Sequence, residues 1–204
     1  MHVADKWNMG SIADLQQFIS QNGFAVLVSA NFNASHVPLL IASDEGEMGV
    51  LYGHLARSNA HAKTISGEPV LAIFSGPHSY ISPTWYAATP AVPTWNYGAV
   101  HAVGTVELTS DEKTLKILEA TIKKYEPELL QQDNIMPEQY KSKLAKAIVG
   151  FKIVLTKIQG QDKLGQHRKI EDQQGVVAGL SASTSLDAQQ LLNYMQQKNI
   201  GMGV

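Results

Sequence analysis

A basic and polar stretch, residues 52–61, carries side chains that could bind a phosphate group. His54 lies where a predicted strand ends, and Arg57, Asn59 and His61 follow at the start of a predicted short helix. The first N–H groups of a helix have no partners within the helix, and nearby positive charge also favours an anion. A polar strand-to-helix connection that binds no ligand would use the same residue types, because Ser and Asn are ordinary N-caps.

Aromatic residues with polar tips are concentrated in the same part of the chain. Two of the three tryptophans and four of the seven tyrosines lie between positions 52 and 97. Such side chains could line a binding site for a planar ring system, with Asn96 and main-chain amides forming hydrogen bonds to the polar edge of the ring. Alternatively, Trp85 and Trp95 fill a core or a dimer interface.

The seven histidines raise the question of a metal site. Imidazoles bind zinc, copper or iron, but no pair shows a local ligand spacing such as H-x-H or H-x-x-x-H. We therefore predict no metal site, and no side chain is assigned a catalytic role. The basic stretch 163–169 is interpreted as a solvated loop or, alternatively, as a minor phosphate or ring contact.

Composition excludes several classes of protein. The 204 residues are enough for one sizeable core, and a net charge of −2 argues against binding nucleic acid through a broad basic face. The absence of cysteine excludes disulfides, thiolate chemistry and Cys-ligated metals. Since no apolar run approaches the roughly 20 residues that span a bilayer, and the N-terminus lacks a signal-peptide pattern, we predict a soluble cytoplasmic protein without membrane contact.

The elements that would position these residues are short strands followed by helices. The patterns predict helices over residues 11–22, 59–66, 110–125, 137–147 and 185–199, and strands over 25–29, 37–41, 50–55, 70–74 and 151–158, with further strands in 78–86 and 97–108. This order favours an antiparallel barrel with peripheral helices over a βαβ series. Walker A, G-x-G-x-x-G, H-E-x-x-H and G-x-S-x-G motifs are all absent from the sequence.

Four segments of the chain carry familiar motifs: GHLARSN (53–59), VLAIFSGPHSYISPTWY (70–86), VPTWNYGAVHAVG (92–104) and GFKIVLTKIQGQDKLGQHR (150–168). Together these motifs resemble those of the PaiB-type family of FMN-binding negative transcriptional regulators. That family belongs to the FMN-binding split barrels, together with pyridoxamine-phosphate oxidases and flavin reductases. The resemblance implies a mainly β (α+β) fold, a six-stranded antiparallel Greek-key split barrel with peripheral helices. We expect this domain over residues 1–180 and a C-terminal helical extension over 181–204.

The resemblance also implies a homodimer with an FMN cleft between the subunits. Asn59 and His61 fall where other split barrels carry Ser and Lys that hold the phosphate, and KLGQHR (163–168) is similar to the family's KLSQNR-type ending. An imidazole is only partly charged near neutral pH whereas a lysine is fully charged, so we expect weaker retention of FMN. The candidate cofactor-binding residues are His36, His54, Arg57, Asn59, His61, Trp95, Asn96, Tyr97, Gln166 and Arg168.

The function that the resemblance implies is a PaiB-like, FMN-binding negative regulator of transcription. DNA is a partner by resemblance only, because the sequence shows no helix-turn-helix and no basic recognition helix. One alternative is an FMN-dependent oxidoreductase of the pyridoxamine-phosphate oxidase or flavin reductase type, or a haem-handling relative. The lack of a catalytic dyad leaves the enzyme alternative open, since a flavin carries its own hydride chemistry. The third alternative is a structural dimer that has lost its cofactor.

Overall fold

The computed structural model describes residues 1–204 apart from the side chain of Glu138, and these residues form six α-helices and seven strands. The helices are α1 (Ile12–Gln21), α2 (Ala60–Thr64), α3 (Asp111–Tyr125), α4 (Glu138–Ala147), α5 (Ile170–Ala182) and α6 (Leu186–Lys198). The strands are β1 (Phe24–Ser29), β2 (Ala34–Pro38), β3 (Leu40–Ala42), β4 (Val50–Ala56), β5 (Pro69–Ile81), β6 (Thr94–Leu108) and β7 (Ile148–Lys163).

Side-chain caps mark the starts of two helices. The Asn59 side chain accepts a hydrogen bond from the His61 N–H at the start of α2. At the start of α3 the cap is Ser110, which accepts from the Lys113 N–H, whereas the sequence pattern suggested Thr109. The apolar spacing of α1 predicts one face of Ile12, Leu15, Phe18 and Ile19; the last three are buried, but Ile12 is 42% exposed.

The strands form one sheet in the order β2-β1-β5-β6-β7-β4-β3. The pairs β1–β2, β1–β5, β3–β4 and β4–β7 are antiparallel. β2 and β3 lie at opposite ends of this order, yet only Leu39 separates them in the chain. Leu39 is fully buried and its N–H donates to the Gly23 carbonyl at 2.8 Å. One residue therefore joins the two sheet edges, and the sheet closes into a barrel.

The number of strands is seven, where the resemblance implied six. Two parts of the chain differ from the sequence pattern. The segments 70–74 and 78–86, which the sequence predicts as separate strands, contribute to the single strand β5, which ends at Ile81 before a 3-10 helix over Pro83–Trp85. The segment 37–41 is predicted as one strand. In the structure the segment divides at Leu39, because β2 pairs with β1 whereas β3 pairs with β4. The α+β class and the antiparallel pairing are as predicted.

The chain forms two compact units. The first, which we call the barrel unit, comprises residues 12–74 and 101–158, and the second, the helical unit, comprises residues 1–11, 75–100 and 159–204. The largest fully buried side chains of the barrel unit come from α1 and the strands: Phe18, Ile19, Leu27, Leu39, Leu51, Phe74, Phe151 and Ile153. Those of the helical unit include Ile81, Leu164 and Leu180.

Helix α5 of the helical unit packs closely on Trp85, for which the sequence left a core role open. Gly175 and Gly179, one turn apart, face this residue. A Cβ at Gly175 would overlap the Trp85 carbonyl oxygen, and one at Gly179 would overlap its indole ring. The two glycines therefore permit a contact that any larger residue would prevent. The sequence analysis makes no prediction of α5, because glycine lowers helix propensity.

Candidate functional site

A hydrogen-bonded group of three side chains lies at the start of α2 in the barrel unit. Asn59 Oδ1 accepts from the His61 N–H at 2.9 Å, and Asn59 Nδ2 donates to Ser35 Oγ at 3.2 Å. Ser35 Oγ is also 2.9 Å from His61 Nδ1. Strand β2 supplies Ser35, and the turn between β4 and α2 supplies Asn59. We call Ser35, Asn59 and His61 the His61 group.

The His61 ring is buried and neutral. Ser35 Oγ accepts from Asn59 and is paired with His61 Nδ1, either as the acceptor of an Nδ1 proton or as the donor in the other tautomer. Burial lowers the pKa of His61, which favours the neutral ring. His61 is 2% exposed, and its Nε2 has no hydrogen-bond partner among the residues that the structure describes. The group therefore presents a buried, unpartnered ring nitrogen, which is a hydrogen-bond donor in the tautomer with the proton on Nε2.

His54 and His36 lie on neighbouring parts of the barrel but are not bonded to the His61 group. His54 is on β4 opposite Gly150 of β7, and burial lowers the pKa of its ring. Its Nδ1 is buried without a hydrogen-bond partner within the described part of the chain. His36 is exposed, and its ring stacks on Phe24 at 6.0 Å. Because side chains alternate along a strand, His36 and Ser35 project from opposite faces of β2.

The guanidinium of Arg57 donates hydrogen bonds to backbone carbonyls at the C-terminal end of α4. Its Nε donates to the Lys146 carbonyl at 3.0 Å, and a terminal nitrogen donates to the Ile148 carbonyl at 2.9 Å. The same nitrogen is 4.0 Å from a carboxylate oxygen of Asp111. Arg57 therefore provides hydrogen-bond donors for carbonyl groups that have no partner within the helix at the C-terminus of α4. Its contact with a ligand phosphate stays a prediction.

The aromatic residues of the second predicted group lie in the helical unit. Trp95 is 51% exposed, with the rings of His78 at 6.0 Å and Tyr80 at 6.4 Å from its own. This exposure excludes a core role for Trp95 within this chain. Asn96 is 2% exposed, and the hydroxyl of Tyr97 accepts a hydrogen bond from Gln161 Nε2 at 2.5 Å.

Gln166 and Arg168 belong to the turn that follows β7. Gln166 binds its own loop, because Oε1 accepts from the Leu164 N–H at 2.9 Å and Nε2 donates to the Asp162 carbonyl at 2.6 Å. Arg168 lies over the ring of Tyr86 at 4.3 Å. Arg168 and Tyr86 border a small cavity that Asn96, Gly165 and Asp172 also line. The structure thus brings Asn96 and Arg168 to one cavity, whereas both ends of the Gln166 side chain are already bonded.

Two residues of these groups, Ser35 and Gln161, are not among the cofactor-binding residues predicted from the sequence. Ser35 is 24 positions from Asn59 and 26 from His61, so no local spacing relates them. Gln161 is 3% exposed, and its Oε1 has no hydrogen-bond partner among the described residues. Gln161 lies beyond the predicted strand over 151–158, so the sequence pattern gives no signal for it.

A separate cavity of about 250 Å³ lies in the barrel unit between β3, β4 and α3. Its lining is mostly apolar, with Leu40, Ile117 and Tyr52 among its residues. The Tyr52 hydroxyl donates to Glu45 at 2.6 Å. Burial, followed by this hydrogen bond and the negative charge of Glu45, raises the pKa of Tyr52 to about 12. None of the predicted cofactor-binding residues lines this cavity.

Two further findings concern the described residues as a whole. They contain no group of three or more His, Asp or Glu side chains placed to hold a metal ion. Their helices include none with the length and apolar character needed to cross a membrane.

Comparisons with known proteins give a family and a fold. Residues 1–157 match the sequence model of the family described as "Putative FMN-binding domain". The chain is 31% identical over 205 residues to the "Protease synthase and sporulation protein PAI 2" of Bacillus subtilis (strain 168), an alignment that covers 97% of this chain and 98% of that protein.

Two solved structures share the fold at low sequence identity. The flavocytochrome Anf3 from Azotobacter vinelandii matches with a TM-score of 0.60 and 13% identity over 80% of this chain and 73% of that chain. The FAD and haem binding protein from Mycobacterium smegmatis matches with a TM-score of 0.56 and 11% identity over 76% and 72% of the two chains. These likenesses confirm the predicted split-barrel fold class.

Proposed function

This chain belongs to the PaiB-type family of FMN-binding proteins, and from that premise we propose that it binds FMN and acts as a negative regulator of transcription. The family match spans residues 1–157, and the B. subtilis relative aligns over nearly the whole chain. The name of that relative links it to protease synthesis and sporulation, which supports a role in controlling gene expression here. Such a regulator acts in the cytoplasm.

The observation that carries the flavin proposal is the buried, unpartnered Nε2 of His61. In the tautomer with the ring proton on Nε2, this atom is a buried donor without an acceptor, which costs about 1–3 kcal/mol of free energy unless a ligand supplies the acceptor. The phosphate of FMN offers such oxygens. In this proposal His61 donates to a phosphate oxygen, while Ser35 and Asn59 hold the imidazole in the required tautomer and position. His54 and its unpartnered Nδ1 supply a second candidate contact from β4.

In the helical unit, the side chains proposed to meet the flavin ring are Trp95, Asn96 and Tyr97. Trp95 presents an exposed aromatic face, which suits a planar heteroaromatic ring. Asn96 and the unpartnered Oε1 of Gln161 supply amide groups for its polar edge. When bound, FMN supplies one- or two-electron transfer. The protein residues bind and orient the ring.

We also propose that the protein is a homodimer. Trp95 and Tyr80 are 51% and 47% exposed and adjacent, as expected of residues that a second subunit covers. DNA is the proposed target of the dimer. The two-fold symmetry of a dimer would match a palindromic operator.

A titration of the flavin-free protein with FMN, followed by visible spectroscopy and flavin fluorescence, tests the binding proposal. We expect saturable binding at one FMN per chain, with a perturbed flavin spectrum. Trp95→Ala should weaken binding about fivefold, the equivalent of about 1 kcal/mol for a lost ring contact. Tyr140→Ala is the matched control, because Tyr140 is also 51% exposed but lies on α4. No saturable binding would overturn the proposal.

The regulatory proposal needs a separate experiment in cells. Deletion of the gene should raise the abundance of a defined set of transcripts, and the wild-type gene should restore repression. A His61→Ala variant should fail to restore it if flavin binding controls repression. Unchanged transcripts, together with FMN-dependent oxidation of a nicotinamide substrate by the purified protein, would instead assign the oxidoreductase function.

A further inference from the structure

Basic side chains surround the indole ring of Trp7 in the helical unit. Lys6 Nζ lies 4.7 Å and Lys163 Nζ 5.5 Å from the centre of this ring. The His167 ring meets it edge-on, with the two ring centres 5.8 Å apart. The N-terminal segment and the end of β7 thus bring three basic groups to one aromatic side chain. We call Lys6, Trp7, Lys163 and His167 the Trp7 cluster.

The charge of this cluster is not balanced by carboxylates. Within the described part of the chain, no ion pair joins Lys6, Lys163 or His167 to a carboxylate. Burial lowers the pKa of His167, and the positive charges of Lys6, Arg168 and Lys163 lower it further. Like charges held this close repel one another, so the arrangement favours an incoming anion.

Two details show that the cluster offers positioned donors as well as charge. Trp7 Nε1 is buried and has no hydrogen-bond partner among the described residues. Lys163 Nζ donates to Thr94 Oγ1 at 2.6 Å, a bond that holds the ammonium in place beside the indole. The unpartnered indole N–H, and the Lys163 ammonium held 5.5 Å from the centre of the same ring, are two groups that can donate hydrogen bonds to an oxyanion.

We propose that the Trp7 cluster is a binding site for the phosphate group of a small-molecule phosphate monoester. Lys6 and Lys163 supply the positive charge, the His167 imidazole takes up a proton as the anion binds, and the indole N–H of Trp7 supplies a neutral donor. A phosphate dianion matches several cations better than a carboxylate does. The chain's net charge of −2 favours a small ligand over a nucleic acid backbone, which needs a broad basic face. This site is separate from the His61 group, and its existence does not depend on flavin binding there.

The test follows the His167 imidazole resonance by proton NMR while inorganic phosphate is added. The resonance is assigned by its loss in His167→Gln. Sodium chloride at equal ionic strength is the reference, because simple screening also weakens the repulsion among the cations. We expect a saturable shift toward the protonated imidazole in phosphate that chloride does not produce. A shift of the same size in both salts would overturn the proposal.

Variants of the cluster residues test whether phosphate binds at this position. Lys6→Gln and Lys163→Gln should each weaken phosphate binding about tenfold, as expected for a lost charge-assisted hydrogen bond. Lys169→Gln is the matched control, since Lys169 is exposed in the same segment, and it should change binding less than about twofold. Retention of full affinity by folded Lys6→Gln and Lys163→Gln would overturn the site. Thermal melts confirm that each variant is folded.

A comparison of FMN with riboflavin identifies the source of the phosphate. If FMN shifts the His167 resonance and riboflavin does not, the cluster binds the flavin's own phosphate, and the proposed phosphate contact of His61 is wrong. If inorganic phosphate shifts the resonance and FMN does not, the ligand of the cluster is another phosphate monoester. Both results support the Trp7 cluster as a phosphate site, and only the first contradicts the contact at His61. Failure of the site is distinguishable from failure of flavin binding, because FMN binding is measured separately by flavin fluorescence.

Discussion

Burial keeps the imidazole of His61 neutral in this structure. It lowers the pKa of the ring, and Ser35 Oγ lies 2.9 Å from its Nδ1. The resemblance implied a partly charged imidazole in place of a phosphate-binding lysine, whose affinity for phosphate would weaken as the pH rises. Because the lowered pKa leaves the ring mostly neutral near pH 7, the proposed contact of His61 with a phosphate depends on the hydrogen bonds that orient the ring and little on charge.

Replacement of Ser35 tests this orientation. Ser35→Ala removes the partner of His61 Nδ1 and the acceptor of Asn59 Nδ2. We expect FMN affinity to fall about fivefold, the equivalent of about 1 kcal/mol for one hydrogen bond. Isothermal titration calorimetry measures the change. Ser58→Ala, an exposed serine in the neighbouring turn, is the control and should bind as wild type; equal affinity of the two variants would contradict the role of Ser35.

The buried histidines also predict how stability depends on pH. Burial lowers the pKa of His54 in the folded protein, whereas the unfolded chain titrates near the ordinary value of about 6.5. Below that value the unfolded state binds more protons, so the free energy of unfolding decreases as the pH falls toward the folded pKa. Urea unfolding at pH 7.5 and 5.5 should show this loss, and His54→Gln should reduce it. His36→Gln, at an exposed histidine, should leave the pH dependence unchanged.

At the scale of elements, local patterns predicted most helices and strands, and long-range contacts decided the rest. The apolar spacing of α1 is a property of adjacent residues, and it correctly predicted the burial of Leu15, Phe18 and Ile19. The division of segment 37–41 at Leu39 depends on which strand each half pairs with. Likewise, Arg57 donates to carbonyls of Lys146 at the end of α4 and Ile148 at the start of β7, 89 and 91 positions away in the sequence. A pattern of neighbouring residues in the sequence does not show which distant residues become such partners.

Helix α5 shows why a glycine-containing segment can still be a helix. Its stability depends on contact with Trp85, to which Gly175 lies closest. The higher helix propensity of alanine would by itself stabilise α5 by about 1 kcal/mol in Gly175→Ala. However, the added Cβ would overlap the carbonyl oxygen of Trp85, which belongs to the backbone and cannot move away independently. We expect a net loss of about 2 kcal/mol and a melting temperature lower by roughly 4–8 °C.

Calorimetry or a thermal melt measures this effect. The control is Ser181→Ala, at an exposed position of the same helix, which should leave the melting temperature unchanged or slightly raised. A higher melting temperature for Gly175→Ala would show that the contact with Trp85 does not restrict this position.

At the scale of the whole molecule, the exposed aromatic surface around Trp95 predicts a dimer. Trp95 and Tyr80 expose about half of their side-chain surface, and large aromatic residues are enriched at interfaces between subunits. Light scattering at micromolar concentration should give twice the mass of the chain. Trp95→Glu, which places a charge in the proposed interface, should shift the protein toward monomer, whereas Tyr140→Glu on α4 should not. A wild-type monomer would contradict the dimer.

The central claim is that this chain binds FMN through a phosphate contact to His61. The most direct measurement is calorimetric titration of FMN and riboflavin into the wild-type protein and the His61→Ala variant, at pH 7 and pH 8. We expect the wild type to prefer FMN by about tenfold or more, equal to at least about 1.4 kcal/mol. This preference should persist at pH 8, because His61 is already neutral at pH 7, and it should be lost in His61→Ala. Equal affinity of the wild type for FMN and riboflavin, or an undiminished preference in the folded variant, would contradict the account.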